Sequence, residues 1–338
     1  MKLIRIGNAE FADGGVCASK GFGAEQNNGV LLISSDRICT AAAAFTANRI
    51  KNAALSGAVE KLADGNVRAV IFGGTGSDAD KICRTVAERL KAEENDVIAV
   101  SSEITVQDNM PQTAVRFKLG GKVCTIGGML CMNSSGAFVF LTSDTAVSAE
   151  LLQLALDDTV KATLDRVCTD RNEQAYDMVC MLASGSADNK PLTKENTDFE
   201  AFENALYNVM LNLARMTACG YGRSGKLTEC VVCGADTDKK AETIAKAVMT
   251  SGHYREAVAG ENAELGRILL ALGSADTDAD DAEIIISSEN GSIEVCRKGE
   301  ALPLSKEQAE TVLSGDELCI IITVGEGSGK AAVWSFRC

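Results

Sequence analysis

Apolar residues along this chain fall into two alternating patterns. Short apolar runs bounded by turn residues occur at GVLLISSD (29–36), VRAVIFGG (67–74) and DVIAVSS (96–102), and each predicts a short, buried strand. Between and beyond them the apolar residues recur at helical spacing. DADKICRTVAERLKAEE (78–94) puts Ile82, Val86 and Leu90 on one face, with Asp78 or Asp80 as N-cap. SAELLQLALDDTVKATLDRVC (148–168) reads as one long helix capped by Ser148, and DFEAFENALYNVMLNLARMTAC (198–219) as another whose apolar stripe offers an assembly surface. KVCTIGGM (122–129), AFVFLTSD (137–144) and LTECVVCGA (227–235) read as strands, and DMVCMLASG (177–185) as a helix or buried segment. AEIIISSENGSIEVCRKGE (282–300) reads as an alternating hairpin with Asn290-Gly291 at the turn, a specific local signal. The mixture is α/β. The polar stretch SADNKPLTKENTD (186–198) interrupts it and suggests two portions, 1–190 and 191–338.

Composition narrows the function classes. The chain has 338 residues and a formal charge of −14, which argues against a nucleic-acid partner because phosphate binding needs clustered Lys and Arg. The N-terminal residues lack the apolar core of a signal peptide, and no apolar run is long enough to span a membrane, so a cytoplasmic protein is expected. In that setting the 13 cysteines stay reduced, most of them inside apolar runs where they act as small hydrophobes. Cys230 and Cys233 form a CxxC, but no second ligand pair at zinc spacing accompanies it, so no metal and no cofactor is expected. The single histidine, His253, leaves little room for a Ser-His or Cys-His catalytic pair. GGTGS (73–77) lacks dinucleotide-loop spacing and reads as a turn, and GEGSGKA (325–331) does not meet the phosphate-loop pattern. DTDADDAE (276–283) lacks the central Gly of a calcium loop and reads as a solvated acidic loop.

The informative stretch is TIGGMLCMNSSGAFVFLTSD (125–144), a Gly pair followed by a small polar patch between two apolar runs. It resembles the K-G-S-G-M-I-x-P-N-M-A-T-M-L-A-F-L-T-T-D pattern of the ornithine acetyltransferase (glutamate N-acetyltransferase) family. Other stretches resemble that family in the same order. GVCASKGFGAE resembles G-V-x-A-x-K-G-F, VRAVIFGG resembles A-R-A-I-V-V-N-S-G, and DRNEQAYDMVCMLASG resembles D-G-D-T-S-T-N-D-T-V-L-L-L-A-N-G. The resemblance implies an ornithine acetyltransferase-like (DmpA/N-terminal-nucleophile-like) α/β fold, a sandwich of two sheets between helix layers with a smaller C-terminal α/β portion. It also implies an arginine-biosynthesis acyltransferase ancestry and a homo-oligomer.

Members of that family cut themselves before the Thr of N-M-A-T. The freed Thr attacks an acyl group, its own α-amine serving as base. Aligned on the shared L-T-x-D, the nucleophile column here holds Gly136, which has no hydroxyl. Ser135 occupies the Ala column and Asn133 keeps the Asn. The substrate-binding Lys column holds Thr125, and the oxyanion-hole pair maps to Ser102 and Glu103, a carboxylate that repels a developing oxyanion. The Glu of G-E-G-A-T-K falls on Gly222, and of D-P-N-W-G-R only Gly266 and Arg267 remain. The expectation is an uncut, catalytically silent relative that binds a small acylated amino acid or a protein partner through Asn133, Thr125 and Arg267. The alternative is an active acyltransferase or amidohydrolase with a relocated nucleophile, Ser135 (with Ser102) or Cys131, needing a Lys or carboxylate base.

Overall fold

The computed structural model describes residues 2–27, 29–46, 62, 66–73, 79–101, 106, 109–132, 136–169, 175–195, 197–221, 227–258, 265–275 and 281–336. Two compact units account for it. One comprises Leu3–Ala162 and Tyr176–Leu213; the other comprises Lys2, Thr163–Ala175 and the chain from Ala214 onward. The chain passes from the first unit to the second within the helix Thr197–Tyr221.

The first unit is built on a nine-stranded mixed sheet. Its strands follow the order Glu10–Ala12, Gln112–Leu119, Lys122–Met132, Ala137–Ser143, Met178–Ala183, Val30–Phe45, Asn66–Gly73 and Val97–Ser101, with Phe22–Asn27 paired on Val30–Phe45. Met178–Ala183 runs parallel to Ala137–Ser143 and antiparallel to Val30–Phe45. It is therefore a central strand buried on both faces, which is why its sequence shows no alternation and also fits a helix. The predicted strand at 29–36 continues to Phe45. Helix Ala79–Leu90 sets Ile82, Val86 and Leu90 against a cluster containing Ile71, Ala87 and Val97, as its periodicity predicts; position 78 lies outside the described residues.

The long helix expected over 148–168 is shorter. It spans Ala149–Ala162, with the Leu151 N–H donating to Ser148 Oγ at 3.3 Å. Thr163 leaves helical geometry (φ −128°, ψ −82°) and the chain enters the short strand Val167–Cys168, which pairs with Trp334 and Ser335. A sheet partner overrides local periodicity there. Thr197–Tyr221 buries Phe199, Phe202, Leu206, Val209, Met210 and Leu213 within the chain itself, so its apolar stripe is not an open assembly surface.

The second unit carries a seven-stranded sheet in the order Glu300–Ala301, Gly291–Arg297, Glu283–Ser288, Glu317–Thr323, Leu227–Ala235, Gly329–Phe336 and Val167–Cys168. The predicted hairpin is present, with Ser288 paired to Gly291 at its turn. Helices Asp238–Thr250, Gly252–Val258, Arg267–Gly273 and Lys306–Leu313 contribute one continuous core with this sheet. Cys230 is buried and Cys233 half-buried on the strand Leu227–Ala235. At a spacing of three along a strand they point to opposite faces and cannot close on one metal ion. Among the described residues no helix is long and apolar enough to cross a membrane.

Candidate functional site

The Gly pair of the sequence explains how the hairpin Lys122–Met132/Ala137–Ser143 is held. A Cβ on Gly127 would overlap the Gly15 carbonyl, so the strand and the turn Gly15–Ala18 approach to backbone contact. A Cβ on Gly128 would meet side chains of Leu213, Val209 and Leu141 at 2.7–2.9 Å, so Thr197–Tyr221 seats on the opposite face. Both strands are buried along nearly their whole length.

At the closed end of the hairpin Met132 pairs with Ala137, and Gly136 immediately precedes that pair. A Cβ built on Gly136 would overlap Asp177 Oδ2 and lie 2.9 Å from Asp177 Cγ. The Asp177 carboxylate thus fills the space that any side chain at Gly136 would need. It is held there by backbone on two sides. The Asp177 N–H donates to the Ala137 carbonyl at 2.8 Å, and the Asp177 carbonyl accepts from the Thr46 N–H at 3.0 Å. Sequence reasoning missed Asp177. Its signal was in the quoted patterns, where Asp177, the second Asp of DRNEQAYDMV, stands level with the third Asp of D-G-D-T-S-T-N-D-T-V.

The open end of the hairpin carries a different arrangement. Ile126 pairs with Ser143, and the buried Asp144 closes the end. Asp144 Oδ1 accepts the Thr125 N–H at 2.7 Å and Oδ2 accepts the Lys20 N–H at 3.2 Å. Burial pushes this carboxyl above the ordinary carboxylate range, against the two backbone donors and Lys20, which favour the charged form. Around it Thr142 Oγ1 donates to the Val16 carbonyl at 2.7 Å, and Ser19 Oγ lies 3.0 Å from the Thr142 carbonyl. The arrangement staples the turn after Ala18 to the hairpin.

These placements separate the predicted site residues. Thr125 and Gly136 sit at opposite ends of one hairpin, and the seven residue steps from 125 to 132 span about 23 Å. A group at Thr125 therefore does not touch one at Gly136. Arg267 belongs to the second unit, at the start of the helix Arg267–Gly273, where its Nη1 donates to Glu256 Oε2 at 2.5 Å on the exposed surface. Cys131 is fully buried in the core with Phe138 and Phe140, and burial pushes its thiol up to about 12. The thiolate that a nucleophile needs is scarcely populated there at neutral pH. Ser102, Glu103, Asn133, Ser135 and Gly222 lie outside the described residues.

Comparison with known proteins agrees with the resemblance read from the motifs. The model described as "ArgJ family" matches residues 73–336. The arginine biosynthesis bifunctional protein ArgJ 1 of Clostridium acetobutylicum is 27% identical over 368 aligned positions, covering 94% of this chain and 90% of that protein. The ArgJ protein of Caldanaerobacter subterraneus is 28% identical, covering 96% of each. Among solved structures, the ArgJ protein of Bacillus halodurans superposes with a TM-score of 0.54 at 30% identity, over 60% of this chain and 93% of that one.

Proposed function

The chain belongs to the ArgJ family, and from that premise we propose that it is a member that has given up self-cleavage and threonine-dependent acetyl transfer and persists as an intact binding protein for a small acylated amino acid. The observation that carries this reading is Gly136 in the nucleophile column with the Asp177 carboxylate filling the adjacent space. Acyl transfer by the family route needs a hydroxyl, and a base to take its proton, at one point in space. Glycine supplies no oxygen. The second support is the scaffold: Gly127 and Gly128, the Asp144 staple and the central strand Met178–Ala183 hold the hairpin in place.

A specific observation also favours a second reading. Asp177 brings a carboxylate against Gly136, the residue next to Ser135 in sequence, and a relocated serine nucleophile requires a base of that kind. Incubation of the purified protein with N-acetylornithine and glutamate separates the two. The binding-protein reading expects no N-acetylglutamate above background, together with a rise in thermal midpoint on adding N-acetylornithine, because a ligand of the folded state must stabilise it. Turnover that disappears in both Ser135→Ala and Asp177→Asn would replace it with the second reading.

A further inference from the structure

A groove of about 780 Å³ lies in the first unit, away from the hairpin's closed end, between the N-terminal segment, the strands Gln112–Leu119 and Lys122–Met132, and the helix Thr197–Tyr221. Its size falls within the range of small-molecule pockets. Ile6, Val123 and Ala201 supply apolar wall, and Ile6 and Val123 are exposed to 41% and 57%. Arg116 and Lys118 line the same groove from alternate, outward positions of one strand. Among the described residues neither makes an ion pair, although the chain as a whole carries −14. One carboxylate faces them: Glu10 stands opposite Arg116 in the strand register and also lines the groove. The local balance is still positive.

The wall is built before any ligand arrives. The Ile6 N–H donates to Asn208 Oδ1 at 2.6 Å, and Asn208 Nδ2 donates back to the Ile6 carbonyl at 2.8 Å. Asn212 grips Ile4 in the same two-way fashion at 2.8 Å each. Two buried asparagines one helical turn apart thus fix the N-terminal segment as a preformed side of the groove, which lowers the ordering cost of binding.

We propose that this groove binds a small amphipathic organic anion, its apolar stem against Ile6 and Val123 and its carboxylate or phosphate end at Arg116 and Lys118. The charge excludes amphipathic cations of the same length. The exposed apolar wall distinguishes the site from a merely basic surface, where a bare anion would bind as well as one with a stem. This site is independent of the residues around Gly136.

Isothermal titration of the intact protein tests it, with hexanoate and hexyl phosphate as probes and hexylammonium and inorganic phosphate as controls. One hexyl anion or both should bind at a single site, and the preferred one identifies the head group. Hexylammonium should give no heat of binding, and inorganic phosphate should bind at least about tenfold more weakly than hexyl phosphate. The Arg116→Gln/Lys118→Gln double variant should weaken the anion about tenfold or more, whereas Glu10→Gln should tighten it by removing the facing carboxylate. All substituted side chains are exposed, so the variants fold, and an unchanged thermal midpoint confirms it. Overturning results are equal binding by the double variant, equal binding of inorganic and hexyl phosphate, or no anion binding up to about 10 mM.

Discussion

The carboxylate of Asp177 stands where the first side-chain carbon of any residue but glycine at position 136 would have to be. The backbone of Gly136 is not in the left-handed region, so the exclusion comes from space rather than from torsional strain. Gly136→Thr should therefore destabilise the protein by about 1–3 kcal/mol through overpacking. Combining it with Asp177→Ser should recover part of that loss, a coupling that chemical denaturation of the four proteins in a double-mutant cycle reads directly. Additive effects would mean that the two side chains do not compete for one space.

The Gly pair gives a graded expectation. At Gly127 an added methyl meets a backbone carbonyl, that of Gly15, which cannot move without shifting the turn Gly15–Ala18. At Gly128 it meets the ends of leucine and valine side chains, which can rotate. Gly127→Ala should cost about 3 kcal/mol or more and Gly128→Ala about 1–2 kcal/mol, measured by urea unfolding. The reverse order would show that the turn, not the helix, is the yielding neighbour.

Asp144 predicts a pH dependence with a definite sign. Its carboxyl titrates higher in the folded chain than in the unfolded one, so the folded state holds the proton more tightly. The contribution of this group to stability is complete below the ordinary carboxylate pKa and declines as pH rises through the raised value. Asp144→Asn removes that slope. It also leaves one of the Thr125 and Lys20 N–H groups facing an amide NH2, at a cost of about 1–3 kcal/mol. Stability curves from acid to neutral pH should show a lower, flatter profile for the variant; an identical slope would remove Asp144 as the source.

Thiol accessibility gives a fourth expectation. Cys17 is exposed, whereas Cys131 and Cys180 are buried with thiols pushed up to about 12. Alkylation of the native protein near neutral pH should label Cys17 and spare Cys131 and Cys180 until the protein is unfolded. Native labelling of Cys131, read by peptide mass, would restore it as a nucleophile.

Much of this structure was legible in the sequence wherever one period dominated. Ile82, Val86 and Leu90 marked a helix face, and Asn290-Gly291 marked a hairpin, because each signal is local. Positions 148–168 misled because Val167 and Cys168 leave a continuing helical pattern to pair with Trp334 and Ser335, far along the chain. Met178–Ala183 was ambiguous because a strand buried on both faces has no polar side to alternate. At the site, the missing hydroxyl of Gly136 was readable from register. Asp177 and the Arg116–Lys118 groove were not, since both arise from segments that only the fold brings together.

The most direct test of the account is the intact mass of the protein purified without exposure to protease. A single species carrying all 338 residues is expected, since Gly136 offers no hydroxyl to attack the preceding peptide bond. Two fragments whose masses sum to the whole, divided at the junction of Ser135 and Gly136, would contradict it.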